Sequence, residues 1–314
     1  MANSLIINNI PIKKGEHAEI IFNIAKLPTH TVIALPVYVY RGIEDGPVLL
    51  LTSAIHGNEV NNVELIREMI ENKDINPSKG TVIVIPIVNI YGFIQQMREL
   101  PDGKDLNRNF PGSKDGSLGS IIAYTLVNEI LPHVDYGIDF HTGAINRSNY
   151  PQIRCNFSDE SNKSLAEAFA PPFIINSKPH EKSLRGDACK RGKVFITYEG
   201  GEASKLDPFA IQEGINGTKR IMRYLKMVSN TVKANKIISI NQTRWIRASH
   251  AGLYRSFIKL GDPVKKKQVL ACITDPFGDF SHKLKASSDG YVIGLNNTAV
   301  VHKGDALIHL GIEE

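Results

Sequence analysis

Residues 48–70 read VLLLTSAIHGNEVNNVELIREMI, an apolar run followed directly by a second pattern. From Val48 to Ile55 almost every position is apolar, whereas beyond Glu59 the apolar residues Val63, Ile66, Met69 and Ile70 recur at helical spacing. A strand that is apolar on both faces is buried on both, which is the situation of a sheet covered by helices. The same alternation continues outward. Val82–Val88, Tyr136–Phe140, Phe173–Ile175 and Val194–Tyr198 read as further buried strands, and Ile122, Leu126 and Ile130 mark a helix between them. A last helix, from Asp207 to about Val228, presents Ile211, Ile215, Ile221, Tyr224 and Leu225. Strands and helices alternating from Thr31 to Gly201 predict an α/β fold, with a mostly parallel or mixed sheet covered by helices.

From about Ile237 the character changes to short strands punctuated by Gly252, Gly261, Gly278, Gly290, Gly294 and Gly304, which predicts a small β domain. A length of 314 residues suits such a division, placed at 1–236 and 237–314. Lys259-Leu-Gly-Asp and Lys303-Gly-Asp form a weak repeat inside the second part. The net charge of +5 is spread along the chain, and Lys265-Lys266-Lys267 follows Gly261-Asp262-Pro263 as a solvated turn would, so no nucleic-acid partner is expected. Cys155, Cys189 and Cys272 are odd in number and without a C-x-x-C pair, which argues against a disulfide framework and for a reducing compartment. Met1–Pro11 lacks the pattern of a secretory signal, and no segment reaches the ~20 apolar residues of a membrane span. A cytoplasmic protein without a membrane partner is the expectation.

Four segments carry chemistry. His56-Gly-Asn-Glu59 follows the first strand and precedes a helix, and a spacing of three is expected to put both side chains on one face of the first helical turn. An imidazole and a carboxylate placed so can share one Zn²⁺, which in catalytic sites takes three protein ligands and keeps a position for water. On its own the pair reads better as an ordinary surface helix start. His141, in Asp139-Phe-His-Thr-Gly143, emerges just beyond another strand, at the edge where parallel α/β sheets bind ligands, and is the candidate third ligand. Asp139 stands where it could orient an imidazole. Between them lies Asp105-Leu-Asn-Arg-Asn-Phe-Pro-Gly112, preceded by Arg98; a guanidinium with a neighbouring amide suits a carboxylate, and a polar loop with one salt bridge is the alternative. Finally Tyr198-Glu-Gly-Gly-Glu202 places Glu199 at a strand end, where a carboxylate can take a proton from water and deliver it to a leaving nitrogen. Glu202 competes for that role, with a solvated turn as its expected setting.

In their order and spacing these four motifs resemble the succinylglutamate desuccinylase and aspartoacylase family, within the zinc carboxypeptidase superfamily, over most of residues 30–230. The resemblance implies one Zn²⁺ on His56, Glu59 and His141, Glu199 as general base and acid, and Arg98 as polariser of the scissile carbonyl. It also implies Asn107 and Arg108 as the substrate's carboxylate site. Thr142-Gly143 after the distal histidine departs from aspartoacylase-like members, which counts against specificity for N-acetylaspartate. The expected activity is hydrolysis of the amide bond of an N-acyl amino acid or similar small carboxylate-bearing molecule. A metallocarboxypeptidase acting on peptides and a non-catalytic metal-containing binding protein are the alternatives. Residues 237–314 resemble a barrel-sandwich module of the lipoyl or biotinyl kind, but the hairpin Thr274–Ser281 has no lysine to modify. A structural appendage, or one that builds a homo-oligomer, is expected instead.

Overall fold

The computed structural model describes residues 4–26, 29–230 and 232–312. After a small hairpin of β1 (Leu5–Ile7) and β2 (Ile10–Ile12), the chain builds one large mixed sheet. Its strands in the first part of the chain are β3 (His17–Lys26), β4 (Val32–Arg41), β5 (Glu44–Thr52), β6 (Lys79–Ile85), β7 (Tyr136–Gly143), β8 (Arg147–Cys155), β9 (Phe173–Asn176) and β10 (Val194–Glu202). Across the sheet the order is β3-β4-β6-β5-β7-β10-β8, with the four central strands β6, β5, β7 and β10 parallel. Strand β8 returns antiparallel against β10.

The helices are α1 (Val60–Glu71), α2 (Ile90–Gln95), α3 (Leu118–Thr125), α4 (Glu160–Phe169), α5 (Leu184–Lys190) and α6 (Pro208–Tyr224). The two-residue period of the strands decides which face each residue serves. Leu49 and Leu51 of β5 pack with Leu65, Phe169 and Ile215 under α1, α4 and α6, while Leu50 packs with Ile122, Leu184 and Phe195 on the opposite face. Both faces are covered, which accounts for the unbroken apolar run at 49–51. The helix predicted to run from Asp207 to Val228 is shorter. Asp207 caps it by accepting from the amides of Phe209 and Ala210, and it ends at Tyr224.

The C-terminal strands are β11 (Ile238–Ile240), β12 (Gln242–Arg247), β13 (Gly252–Ser256), β14 (Pro263–Val264), β15 (Val269–Thr274), β16 (Ser281–Lys285), β17 (Gly290–Asn296), β18 (Val300–Val301) and β19 (Ala306–Ile312). Strands β16, β15, β13 and β18 form a separate four-stranded sheet. Its inward residues Leu270, Ile273 and Leu284 meet Val292, Ile308 and Leu310 of β17 and β19, making a sandwich with its own core. Strands β12, β19 and β17 at the same time extend the large sheet, because β17 pairs with β8 through Gly294–Asn149, Leu295–Ser148 and Asn296–Arg147. Strand β11 adds to β9. Lys265 and the amide of Lys266 engage Asp289, the turn setting expected of the lysine run.

Candidate active site

Three strand ends meet at one place. Glu199 of β10 is level with His141 of β7 in the parallel ladder, and β5, on the other side of β7, runs out into Ser53–Glu59. The chain turns sharply there. Ala54 adopts φ +48°, and a Cβ at Gly57 would collide with the backbone of Gly92 at the start of α2, so only glycine lets the loop pass. The helix starts at Val60 with Glu59 as its cap residue. This corrects the expectation of one helical turn spanning His56 to Glu59: His56 lies before the helix, in a turn closed by the Glu59 amide on the His56 carbonyl, 3.1 Å. Turn and helix cap still bring the two side chains together.

The buried Glu59 carboxylate lies between two imidazoles, Oε1 at 2.7 Å from His56 Nδ1 and Oε2 at 3.0 Å from His141 Nδ1. The far nitrogens have carboxylates of their own: His56 Nε2 is 3.1 Å from Asp105 and His141 Nε2 is 2.8 Å from Asp139. Asp105 is further fixed by the Asn107 amide and Arg98, and Asp139 by the Thr52 hydroxyl. Burial opposes the charge on Glu59, but His56 and His141 outweigh it and hold the carboxyl well below its usual range. Burial likewise opposes protonation of His141, yet Asp139 and Glu59 pull its pKa well up. Three carboxylates, Glu59, Asp105 and Asp139, thus surround two imidazoles and the Arg98 guanidinium, an anionic setting in which a cation could take the place of the protons on the two inward nitrogens.

The donor set fits a metal. One atom each from His56, Glu59 and His141 lie within 4.8 Å of one another, and the carboxylates on the far nitrogens turn both Nδ1 atoms inward, as the outer partners of ligand histidines do. A cavity of about 230 Å³ opens beside this group, lined also by Arg98, Asn107, Arg108, Arg154, Lys178, His180, Arg185 and Glu199. Glu199 accepts a hydrogen bond from Asn149 Nδ2 at 2.8 Å and faces Arg154 Nε at 3.3 Å. Asn107 uses its Oδ1 to accept from the Leu184 amide, the first donor of α5, which leaves Nδ2 as its group for a ligand. Arg108 is exposed and donates to the Asn107 carbonyl. Arg98 spans Asp105 at 2.9 Å and Glu59 at 3.6 Å.

His56, Glu59, Arg98, Asn107, Arg108, His141 and Glu199 all line this one cavity, as does Asp139, but four cationic or titratable neighbours carry no signal in the sequence reading. Arg154 lies on β8, where Pro151 masks the strand pattern. Arg185, on α5, donates to the carbonyls of Arg154 and Ser177, and no motif announces it. Lys178 and His180 lie between β9 and α5. Glu202 departs from its expected solvated turn. It is 3% exposed and is held by the Asn146 amide, the Ser148 hydroxyl, Asn297 and Lys205, with no place in the cavity lining.

A model of the succinylglutamate desuccinylase/aspartoacylase catalytic domain matches residues 45–225, a span that holds all four motifs. The chain belongs to this family. A family relative, the N-alpha-acetyl-L-2,4-diaminobutyric acid deacetylase of Halomonas elongata, is 27% identical over 292 residues, covering 88% of this chain and 84% of the relative. The product-bound ectoine utilization protein EutE (DoeB) of Ruegeria pomeroyi has the same fold, with TM-score 0.83 and 22% identity over 95% of both chains. A succinylglutamate desuccinylase from Silicibacter sp. TM1040 superposes over 100% of both chains with TM-score 0.84 and 22% identity. Family membership makes the protein a hydrolase of the deacylase type. Among the described residues no helix is long and apolar enough to cross a membrane.

Proposed function

We propose that the protein is a zinc-dependent amidohydrolase that removes the acyl group from an N-acyl amino acid or a similar small carboxylate-bearing amide. The observation that carries this reading is the convergence of His56, Glu59 and His141 on one point beside Glu199, in a cavity whose remaining wall is rich in cations. Bound zinc supplies Lewis acidity, which in the best-known cases lowers the pKa of water from 15.7 to about 7. The side chains supply the rest. Arg108 and Asn107 Nδ2 take the substrate carboxylate, which places the amide beside Glu199 and makes attack effectively intramolecular. Glu199 receives the proton of the attacking water and passes it to the departing amine. Arg98, held by Asp105, offsets charge on the carbonyl oxygen as the tetrahedral centre forms.

Cavity size favours this reading over the peptide alternative. About 230 Å³ suits a small molecule, and the neighbouring cleft, which shares Arg98, is walled by Asn296, Thr298 and Asp305 of the C-terminal part. A protein that merely bound metal would need no carboxylate placed as Glu199 is. The separate core of the sandwich supports a catalytic unit at 1–236 and an appended module at 237–314. Three unpaired cysteines agree with a cytoplasmic setting.

The test is a panel of N-acetyl and N-succinyl amino acids alongside dipeptides with a free carboxyl terminus, assayed with zinc content measured on the same sample. Hydrolysis of N-acyl amino acids with about one zinc per chain is expected. Preference for dipeptides, or full activity in metal-free protein, would overturn the reading.

A further inference from the structure

Strand β8 separates the proposed base from the C-terminal module, and it touches both. Asn149 on β8 is buried, and its side chain joins the two sides: Nδ2 donates to Glu199 Oε2 at 2.8 Å, while Oδ1 lies against the backbone of β17. The β17 residue opposite is Gly294, its partner in the strand ladder. A Cβ built on Gly294 would come within 3.1 Å of Asn149 Oδ1 and 3.2 Å of His309 Cβ, so the amide occupies space that any side chain at 294 would contest. The ladder between β10 and β8 is irregular at this point. Glu199 opposes Gln152 and Gly201 opposes Asn149, so β8 has one more residue than β10 over that span, a bulge of the kind that re-aims a side chain next to a site.

The end of β8 is fixed from the same direction. Asn297 bonds Ser148 and Glu202 through its Nδ2, and its amide donates to the Asn146 carbonyl at 2.8 Å. The segment that carries Asn149 is therefore gripped by β17 and the turn after it, rather than by the catalytic core alone.

We infer that Asn149 is a positioning residue for Glu199 and that the C-terminal module, through the side-chain-free seat at Gly294, sets where that carboxylate stands. The inference rests on the reading of Glu199 as the proton carrier. It also gives the module a part in catalysis without any residue of its own touching the substrate. A carboxylate that must reach water and then a leaving nitrogen is sensitive to small displacements, because catalytic groups work within about 0.5 Å of their productive geometry. Losing the amide removes one of the two side-chain partners of Glu199 and frees it to turn toward Arg154.

The experiment is a double-mutant cycle on Asn149→Ala and Gly294→Ala, assayed on the N-acetyl amino acid that the wild type hydrolyses fastest, with zinc content and Tm recorded for each variant. Asn149→Ala should lower kcat about 10- to 100-fold, the range typical of groups that orient a functional side chain. KM should change less than about twofold and zinc should stay, because Asn149 is outside the ligand set. Gly294→Ala should also lower kcat, but should add little in the Asn149→Ala background, since its effect runs through that amide. Asn149→Ser, which keeps a short donor, should recover part of the rate. Additive losses that follow Tm, or normal kcat in Asn149→Ala, would overturn the inference. Glu199→Gln in the same series keeps the two readings apart. If it is inactive while Asn149→Ala is normal, the positioning role alone fails; if it is fully active, the base assignment fails and the inference falls with it.

Discussion

The carboxyl edge of the central strands and the C-terminal sandwich both place acidic side chains at strand ends, but for different purposes. In the sandwich, Asp262 accepts from the Lys259 amide, Asp275 from the Gly278 amide and Asp305 from the His302 amide, each three residues away. Those carboxylates are accounted for by the turns they close. At the sheet edge, Glu59 meets His141, Asp105 meets His56 and Glu199 meets Asn149, all far apart in the chain. No turn needs these contacts, and burying several charges together is costly unless something is gained. The contrast is that the sheet-edge carboxylates, besides local contacts such as Glu59 with His56 and the Asn107 amide on Asp105, are tied to side chains far along the chain, an arrangement that no turn accounts for. Glu202 is the intermediate case. Its neutral donors Asn146, Ser148 and Asn297 are distant too, but together with the exposed Lys205 three residues on they leave it satisfied.

The contrast breaks first at the proposed metal ligands. His56→Ala and His141→Ala should each lose zinc and essentially all turnover, as elemental analysis beside the deacylase assay will show; full metal content in both would remove the sheet edge from the functional class. Next comes Glu199→Gln, where kcat should fall about 10²- to 10⁴-fold while zinc and Tm hold. Turnover near normal there, with collapse in Glu202→Gln, would exchange the roles of the two carboxylates. Arg108→Ala should raise KM with metal content unchanged, and replacing the substrate carboxylate by an amide should weaken binding to the wild type; equal rates on acid and amide would free Arg108 from substrate capture.

A smaller effect is expected at Glu202. Burial pushes its pKa up, but hydrogen bonds from Lys205, Asn297 and Ser148 outweigh this and hold it below 4.5. A lowered folded pKa stabilises above the unfolded value, and that stabilisation is lost as pH falls through the folded one. Glu202→Gln should therefore lower Tm near neutral pH, by an amount set by about 1–3 kcal/mol for an ill-matched buried group. The gap to the wild type should narrow as pH drops below 4.5, where the wild-type carboxyl also protonates. A gap independent of pH would mean the charge is not what Glu202 contributes. The smallest expected effect is none: the hairpin between β15 and β16 offers no lysine, so intact mass should show no lipoyl or biotinyl increment after expression with the cognate ligase.

Much of this was legible because the central strands obey local rules. The unbroken apolar runs at 49–51 and 82–85 follow from helices on both faces, and the motif residues stand where those runs stop. Strand β8 was not legible: it opens on three polar residues, Arg147–Asn149, Pro151 interrupts it, and its partners β10 and β17 lie far along the chain. Arg154 and Asn149 were hidden with it. The early hairpin and β3 escaped for a related reason, since His17–Lys26 is half exposed and mixes charges with its apolar positions. His56 and Glu59 do meet, but not on the helical turn expected, because spacing alone cannot tell a helical turn from a turn that a glycine allows before the helix.

The ladder between β8 and β17 also matters for the order in which the chain is made. Synthesis runs from the amino end, so every residue of the candidate site has left the ribosome before Gly294 exists. Until then the Arg147–Asn149 end of β8 is an open edge, with unpaired backbone groups that another chain could match. The last-made strands close that edge and at the same time seat the amide against Glu199. A nascent or prematurely terminated chain therefore holds His56, Glu59 and His141 without β17 behind Asn149, and on the inference above its turnover should stay below that of the full chain until the carboxyl-terminal strands are made.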